Sequence, residues 1–584
     1  MILDYQDFTR LIEKFAGELP VILSGHHKTA DLAPKIAGLL QIAEMPFTLA
    51  VVGQMRVGKS SLLNALIGSD LAVVGVNETT ATVNWFKHGQ GDKARRFCVN
   101  WKDRPAEEFD LREISRWIGD SSEAAATGFL EFFADSPYLR IANIVDTPGT
   151  RSAIQDHTRT INEFLIAKRE GETRRLGGEA DAILYVVPHV ARESDESMLK
   201  EFENSTRLPG SSPYNSMAVV HKWETLNVPD PHLEAEQKAE RIFKALSRLV
   251  SFVMPVSAPM GRAVEKFDNR FWNSTLNLAI NTPSDVLDDM LLGEADFFDD
   301  VSRCAISLDD RRKMYGPTGQ YRLPWPCLKL LIQTARKSAP SDASALRRHI
   351  SIISGLEKLK QELQRRFFDR SRVIKTFSIL SKAWDSTRTA EVRLRNYKIN
   401  LARVLENATT SKSVLADRIE KGDADLCAVQ EYVQGTLETV ESDLEKAGDT
   451  LRDLGRMMLE VQDAHQEMDA DLKFLQLLQD HRSDFSTEAA DLLSTLLGGY
   501  GATLLDRLSF FRRKGKDFIR VDDLVREIQT LKRAGLKGKP ELRNVAEHGI
   551  NRLEGIANWM EDQGLSEIPL TKYKANHDGS ISGD

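Results

Sequence analysis

The chain is poor in cysteine, lacks any long uncharged span and has no proline over a long central stretch, and each shortage excludes something. Four cysteines occur in 584 residues. Cys98, Cys304, Cys327 and Cys427 form neither a C-x-x-C pair nor a disulfide-dense block, which is the usage of a reducing compartment. No segment approaches the ~20 apolar residues of a spanning helix. Residues 1–7 lack the basic then apolar layout of a signal peptide. A formal net charge of −8 excludes wholesale attraction to nucleic acid or anionic lipid, so no nucleic-acid partner is expected and any lipid contact must be local. Between Pro340 and Pro540 there is no proline, in a stretch rich in Leu, Glu, Lys, Arg, Ala and Gln, which predicts a long helical region. At this length several domains are expected.

What the sequence does contain begins with a phosphate loop. Gly53, Gln54, Met55, Arg56, Val57, Gly58, Lys59 and Ser60 read G-x-x-x-x-G-K-S, placed after the apolar run 47–52 and before the helical run that starts at Ser61. The glycines let the backbone form a nest of N–H groups around phosphates, Lys59 can reach the β- and γ-phosphates, and the Ser60 hydroxyl suits Mg²⁺. The helix N-terminus adds its positive dipole end to the same anion. Downstream, the strand-like run 138–145 ends in Asp146, Thr147, Pro148 and Gly149. An aspartate at a strand's end can hold Mg²⁺ through water, and the Gly149 N–H can bond a γ-phosphate oxygen. Between the two lies a loop with Thr79 and Thr80, either of which could place a hydroxyl on Mg²⁺ as switch loops do. Further apolar runs at 182–187, 217–220 and 252–256 alternate with helical stretches near 198–202 and 234–249. That alternation predicts an α/β domain with a mostly parallel sheet and helices on both faces.

The order G-x-x-x-x-G-K-S-S, a threonine switch, D-T-P-G, a degenerate lysine motif at His221, Lys222, Trp223 and Glu224, and a terminal Ser257-Ala258 resembles the GTPase domain of dynamin-like proteins. The basic Arg56, the run Leu62 to Gly68 and the segment 74–81 are most similar to the bacterial branch. The resemblance implies a GTPase that uses Mg²⁺, self-associates through its GTPase domains and works on a membrane. It implies that Lys59 and Ser60 serve phosphate and magnesium, that Thr80 is the switch threonine, that Asp146 and Gly149 sense the γ-phosphate, and that Arg56 neutralises charge developing between the phosphates, as an electrostatic stabiliser should. Ser61 continues the loop, and Lys222, Glu224 and Ser257 would meet the base. His221 stands where the family has Asn or Thr, and Glu224 stands where it has Asp. Glutamate keeps the charge but is one methylene longer, so weakened guanine preference and weak turnover are expected. The alternatives are a nucleotide-binding scaffold with little turnover and an SMC-like DNA ATPase; the latter would need an L-S-G-G-Q signature, which is missing.

The domain reading is 1–45 for N-terminal neck helices, 46–370 for the GTPase domain with an insertion or irregular hinge near 262–345, 371–535 for a helical stalk, 536–570 for a helix returning to the neck, and 571–584 for a disordered tail. Leu437, Val440, Leu444, Ala447, Leu451, Leu454, Met458, Val461, His465, Met468, Leu472 and Leu475 step by four and three, which predicts one long helix with a continuous seam. Its partner is either a second chain or neighbouring helices of one bundle. Phe8, Leu11, Ile12, Phe15 and Leu19 form one apolar stripe, and Leu542, Val545, Leu553, Ile556 and Met560 form another, as expected of neck helices that pair. The segment 489–516 is apolar, broken by glycine and edged by Arg512, Arg513, Lys514 and Lys516. It reads either as a stalk tip entering a bilayer interface or as a buried turn of the bundle. The expected location is the cytoplasm, with peripheral contact at the inner face of a membrane.

Overall fold

The computed structural model describes residues 27–34, 38–39, 46–53, 57–69, 71, 83–117, 123, 126–146, 180–188, 215–247, 249–315, 319–410, 414–500, 504–535 and 540–570. The N-terminal stripe from Phe8 to Leu19, loop residues Gln54, Met55 and Arg56, the switch segment 74–81, Gly149, the helix near 198–202 and the tail 571–584 lie outside these. The chain divides into two compact units, one of residues 45–368 and one of 1–44 with 369–584.

The first unit is built on a nine-stranded sheet in the order β4-β3-β5-β2-β6-β1-β7-β8-β9. Strand β1 (Phe47–Gly53) is buried at every position, as a central strand covered on both faces requires. It pairs in parallel with β6 (Ala142–Asp146) on one side and β7 (Ala182–Pro188) on the other. Beyond β7 come β8 (Ser216–His221) and β9 (Val253–Val256), also parallel. On the other flank β2 (Val83–His88) runs antiparallel to β6 but parallel to β5 (Thr127–Ala134). The edge is made by β3 (Arg96–Trp101) and β4 (Glu107–Asp110), both antiparallel additions. Chain order reverses about β1, so the ends of β1, β6 and β7 open onto the crevice where α/β sheets bind ligands.

Helix α1 (Lys59–Ile67) follows β1 and buries Leu62, Leu63, Leu66 and Ile67. It stops at Gly68, whose left-handed φ of 78° lets its N–H bond the Asn64 carbonyl at 3.0 Å, a glycine C-terminus of the usual kind. Helix α2 (Pro231–Leu246) follows β8, and α3 (Ala258–Lys266) follows β9. The region read as an insertion or irregular hinge is a packed helical layer. Helices α4 (Asn269–Asn281), α5 (Trp325–Ser338) and α6 (Ala343–Ser354) share a core of Phe271, Trp272, Phe297, Leu331 and Ile350 that also takes in Trp223 and Met260. Helix α7 (Leu356–Leu363) then buries Leu356, Leu359 and Leu363 in the unit's interior.

The second unit is all helical. Helices α8 (Ser371–Thr409) and α9 (Ala424–Asp480) form an antiparallel hairpin, with Leu394 and Leu401 against Val433 and Val440, and Ile379, Leu380 and Ala383 against Leu454, Met457 and Val461. The partner of the long seam is thus intramolecular. The seam itself is corrected in its second half. Met457, Ala464, Asp471 and Leu478 are buried where Met458 and Leu472 are only half-buried, and the side chain of His465 lies outside the described residues. Burial changes flank because the neighbours change: Leu32, Ala33 and Leu39 join the packing near Met457, and Leu475 and Leu478 enter a C-terminal cluster.

That cluster also overturns the inserting tip. Helices α10 (Thr487–Leu496), α11 (Val521–Gly535) and α12 (Pro540–Asp562) enclose Leu492, Leu493, Leu496, Leu497, Phe510 and Phe511, none more than 2% exposed. Three of the four neighbouring cations are answered by carboxylates. Arg513 pairs with Asp491 at 3.0 Å, Lys514 with Glu488, and Lys516 with Asp523. These leucines and phenylalanines are therefore bundle core, with Arg512 and Tyr500 left exposed, and they sit beside the end of the hairpin where Arg370 bonds Asp469 and the Met468 carbonyl. The stripe of α12 packs into the same cluster through Val545, Leu553, Ile556 and Met560, whereas Leu32, Ala33 and Leu39 pack on α8 and α9. The N-terminal stripe Phe8 to Leu19, expected to pair with that of α12, lies outside the described residues.

Candidate functional site

Gly53 ends β1, and a Cβ there would lie 2.4 Å from the Val186 carbonyl oxygen of β7. No side chain fits that approach. Gly58 has φ +99°, and a Cβ would lie 2.5 Å from His221 Nδ1. The two glycines of the loop are thus required by contact with two different strands as well as by backbone conformation. Lys59 opens α1, is buried, and its Nζ donates to the Gly53 carbonyl at 3.1 Å. Ser60 and Ser61, in the first turn of α1, are half-buried.

Asp146 stands at the end of β6 in register with Val51, two residues before Gly53. It is 1% exposed, and no protein hydrogen bond satisfies either carboxylate oxygen. Burial pushes its pKa up to about 6, while the Lys59 charge and the Ser60 hydroxyl favour the anion. The same burial lowers the Lys59 pKa, with Asp146 opposing. A carboxylate left without hydrogen bonds costs free energy unless something else satisfies it. A hydrated Mg²⁺ carrying phosphate oxygens fits that deficit: Ser60 could ligate the ion, Asp146 could hold it through water, and Lys59 could turn from the Gly53 carbonyl to the phosphates. Of the other sequence-derived site residues, Gln54, Met55, Arg56, Thr80 and Gly149 lie outside the described residues.

The lysine motif closes the other side. His221 Nδ1 lies 3.1 Å from the Val57 carbonyl oxygen. A carbonyl only accepts, so Nδ1 carries the proton in this bond. Histidine therefore supplies an N–H donor to the phosphate loop from the position where the resemblance led to an expectation of Asn or Thr. Lys222 has a left-handed φ of 62°, and its Cε lies 3.1 Å from where a Gly58 Cβ would be, so its stem passes against the loop. Glu224 sits in a single turn, Trp223–Thr225, 6% exposed. Burial raises its pKa, and Ser257, Cys327 and Lys222 oppose the rise.

The structure thus brings Gly53, Gly58, Lys59, Ser60 and Asp146 together and sets Lys222 against Gly58, while Glu224 and Ser257 are buried on the turn after β8 and at the start of α3. Sequence reasoning missed two members. The bond from His221 to Val57 was open to inference, because imidazole is a donor at a position that needs one. Cys327 carried no signal at all, since nothing in the spacing links it to the motif.

With that geometry established, comparison with known proteins assigns the domain. The Dynamin family profile matches residues 49–207. The isoniazid-induced protein IniC of Mycobacterium tuberculosis is 32% identical over 164 residues, which is 27% of this chain and 30% of that protein. Dynamin-like protein 2 of Campylobacter jejuni is 25% identical over 138 residues, 24% of this chain and 22% of that protein. The chain thus spans less than a third of the length of either relative. A solved structure of an oligomerised bacterial dynamin pair aligns over 91% of this chain and 87% of its own at 13% identity, with a TM-score of 0.31, too low to assign a function. The matched region, with its phosphate loop and buried sensor aspartate, is therefore similar to the N-terminal domain of the Dynamin family, and over that region the chain resembles dynamin-like proteins of bacteria.

Proposed function

We propose that the chain binds GTP with Mg²⁺, hydrolyses it to GDP and phosphate, and uses the nucleotide state to govern self-association of its nucleotide-binding domain and contact with a membrane. The observation that carries the nucleotide part is the buried, unsatisfied Asp146 carboxylate facing Lys59 at the N-terminus of α1. In this reading the loop from Gly53 to Ser61 cradles the phosphates, and Lys59 holds the β- and γ-phosphate oxygens. Ser60, Thr80 and Asp146 hold Mg²⁺, which screens the phosphate charge when bound. Gly149 donates its N–H to the γ-phosphate, and Arg56 meets the charge that builds between the phosphates. Lys222, Glu224 and Ser257 face the base.

The membrane part draws on the family match and on the hairpin. No helix among the described residues is long and apolar enough to cross a membrane. At the turn between α8 and α9, however, Val404, Val414, Leu415, Val429 and Tyr432 are exposed, the last at 72%. An apolar end on a long hairpin suits peripheral contact. The burial of Glu224 favours a second reading, a nucleotide-binding scaffold with little turnover, because a carboxyl pushed toward its neutral form grips guanine poorly.

Phosphate release from GTP and ATP, with and without anionic liposomes, separates the two. GTP turnover that rises with liposomes is expected. Tight GTP binding with no turnover under any condition would establish the scaffold instead, and failure to bind either nucleotide would overturn both.

A further inference from the structure

The two helices of the hairpin carry opposite charge. Helix α8 has eight Lys or Arg against three Asp or Glu, and α9 has four against fourteen, so the hairpin has a cationic side and an anionic side. Helix α8 meets α9 through Leu394 and Leu401, and α9 meets α8 through Val433 and Val440. Residues two positions from these lie about half a turn round, on the outer edge of each helix. On α8 that edge carries Val392 and Ile399, 48% and 45% exposed, set among the exposed Arg388, Arg395 and Arg403. On α9 it carries the exposed Glu431, Glu438 and Glu445, spaced by Gly435 and Ser442. Arg388 and Arg395 share one carboxylate, Glu391, whereas Arg403, Glu431, Glu438 and Glu445 make no ion pair among the described residues. Asp31 and His27 contact α8 at Arg393 and Tyr397, about a quarter turn from this edge.

We propose that these two edges are complementary halves of one interface between copies of this chain, with α8 of one copy lying against α9 of the next. Lys398 bonds Glu441 across the hairpin at 2.8 Å, which fixes the residues of the two helices that are level. By that register Arg403 is level with Glu438, Arg395 with Glu445 and Arg388 with Asp449, each to within two residues. Copies standing side by side without axial shift therefore place every arginine of the edge opposite a carboxylate. The small Gly435 and Ser442 leave room for the Arg403 stem and for Ile399. Helices α8 and α9 are antiparallel within the hairpin, so the same antiparallel packing repeats from copy to copy. Because the two edges differ, the contact is heterologous and extends as an open row instead of closing on a dimer. The edge from Arg388 to Arg403 is about 24 Å long and roughly 10 Å wide. That is well below the ~800 Å² per partner of a standard interface, so one contact is weak, sensitive to salt and effective only at high local concentration.

The test is sedimentation velocity of the full chain without nucleotide, at low salt and rising protein concentration. The wild-type sedimentation coefficient should climb with concentration past the value of a dimer and return to that of the monomer as salt is added. Arg395→Glu with Arg403→Glu turns both edges anionic, and Glu438→Arg with Glu445→Arg turns both cationic, so each variant alone should stay monomeric. Mixing the two should restore association, because each offers the edge that the other lacks. A chain carrying all four changes should associate with itself, a recovery that no misfolded chain could give. If a charge-reversed pair failed to fold, Arg395→Gln with Arg403→Gln decides, and should flatten the rise with concentration. Association that the reversals or the glutamines leave unchanged would overturn the proposal, and so would a plateau at the dimer. A wild type monomeric at every concentration would leave the edges to a lipid surface or another protein, and would overturn it too. Loss of the nucleotide reading would leave this contact untouched, since both edges belong to the helical unit.

Discussion

Lys59 and Asp146 are two charges buried at one strand-to-helix turn, and each is tolerable because the other is near. Lys59→Ala removes the phosphate cation and leaves Asp146 to take up a proton. It touches no hydrophobic cluster. Nucleotide affinity should fall by about 100-fold or more, with far-ultraviolet circular dichroism unchanged; a collapse of helical signal together with binding would mean that Lys59 holds the fold. His221 acts one step further out, through its bond to the Val57 carbonyl. His221→Ala should weaken GTP by about 1–2 kcal/mol, the worth of a buried hydrogen bond, while His221→Asn, which also offers a donor, should keep most of the affinity. Equal losses for Ala and Asn in a titration would show that the ring's packing against Gly58 matters rather than its proton. The phosphate-loop residues were legible because their spacing encodes a backbone shape. Cys327 was not, because side chains distant in sequence meet only once the insertion has folded onto Trp223.

At the scale of elements, the apolar strands β1, β7 and β8 could be read directly, since a strand buried on both faces is an uninterrupted apolar run. The long helix α9 was legible as a helix, but its seam was not fully so. A heptad pattern describes one partner, and α9 has several. The same ambiguity misled the reading of residues 489–516, because an uncharged apolar run looks alike whether lipid or protein covers it. Its covering decides the effect of mutation. Phe510→Asp with Phe511→Asp places two charges among Leu492, Leu496 and Ile528, and should unfold the C-terminal cluster, losing roughly 3–5 kcal/mol or more per site. Chemical denaturation followed by intrinsic fluorescence would check it; a well-folded double variant would return the segment to the surface.

Asp471 of α9 binds the same cluster together electrostatically. Its carboxylate accepts from His548 and Arg552, each at 2.8 Å, and from Arg507 at 2.7 Å, and it is 1% exposed. Burial alone would raise its pKa, but the His548 hydrogen bond and the Arg507 and Arg552 charges win and hold it at about 2. The unfolded value is near 3.9, so the stabilisation is complete above that pH and is lost as pH falls from about 4 toward 2. Asp471→Asn should remove most of this acid dependence. It should also cost about 3–5 kcal/mol at neutral pH, since two arginines lose their buried counter-charge. A pH series of melting curves for both proteins reads both effects, and parallel curves would show that Asp471 is not the source.

For the molecule as a whole, the division between an α/β unit and a helical unit follows from composition: apolar runs alternate with helices up to β9, and the proline-free stretch supplies the hairpin. What composition could not reveal is which end of the helical unit is free to meet something else. Leu492, Leu493, Leu496, Leu497, Phe510 and Phe511 are consumed by packing, whereas Leu415 and Tyr432 near the hairpin turn are 41% and 72% exposed. Leu415→Glu with Tyr432→Glu should leave folding within about ±0.5 kcal/mol of wild type, as surface changes usually do. It should leave GTP affinity intact as well, since neither residue belongs to the nucleotide-binding unit. If the hairpin end is the membrane contact, the same pair should abolish sedimentation with anionic liposomes in the GTP-bound state, because apolar burial is replaced by two repelled carboxylates. Raising salt should not restore sedimentation, as screening cannot replace lost apolar area. Undiminished sedimentation of the double variant would exclude the hairpin end, and a wild type that binds no liposome in any nucleotide state would remove the membrane from the proposed function altogether.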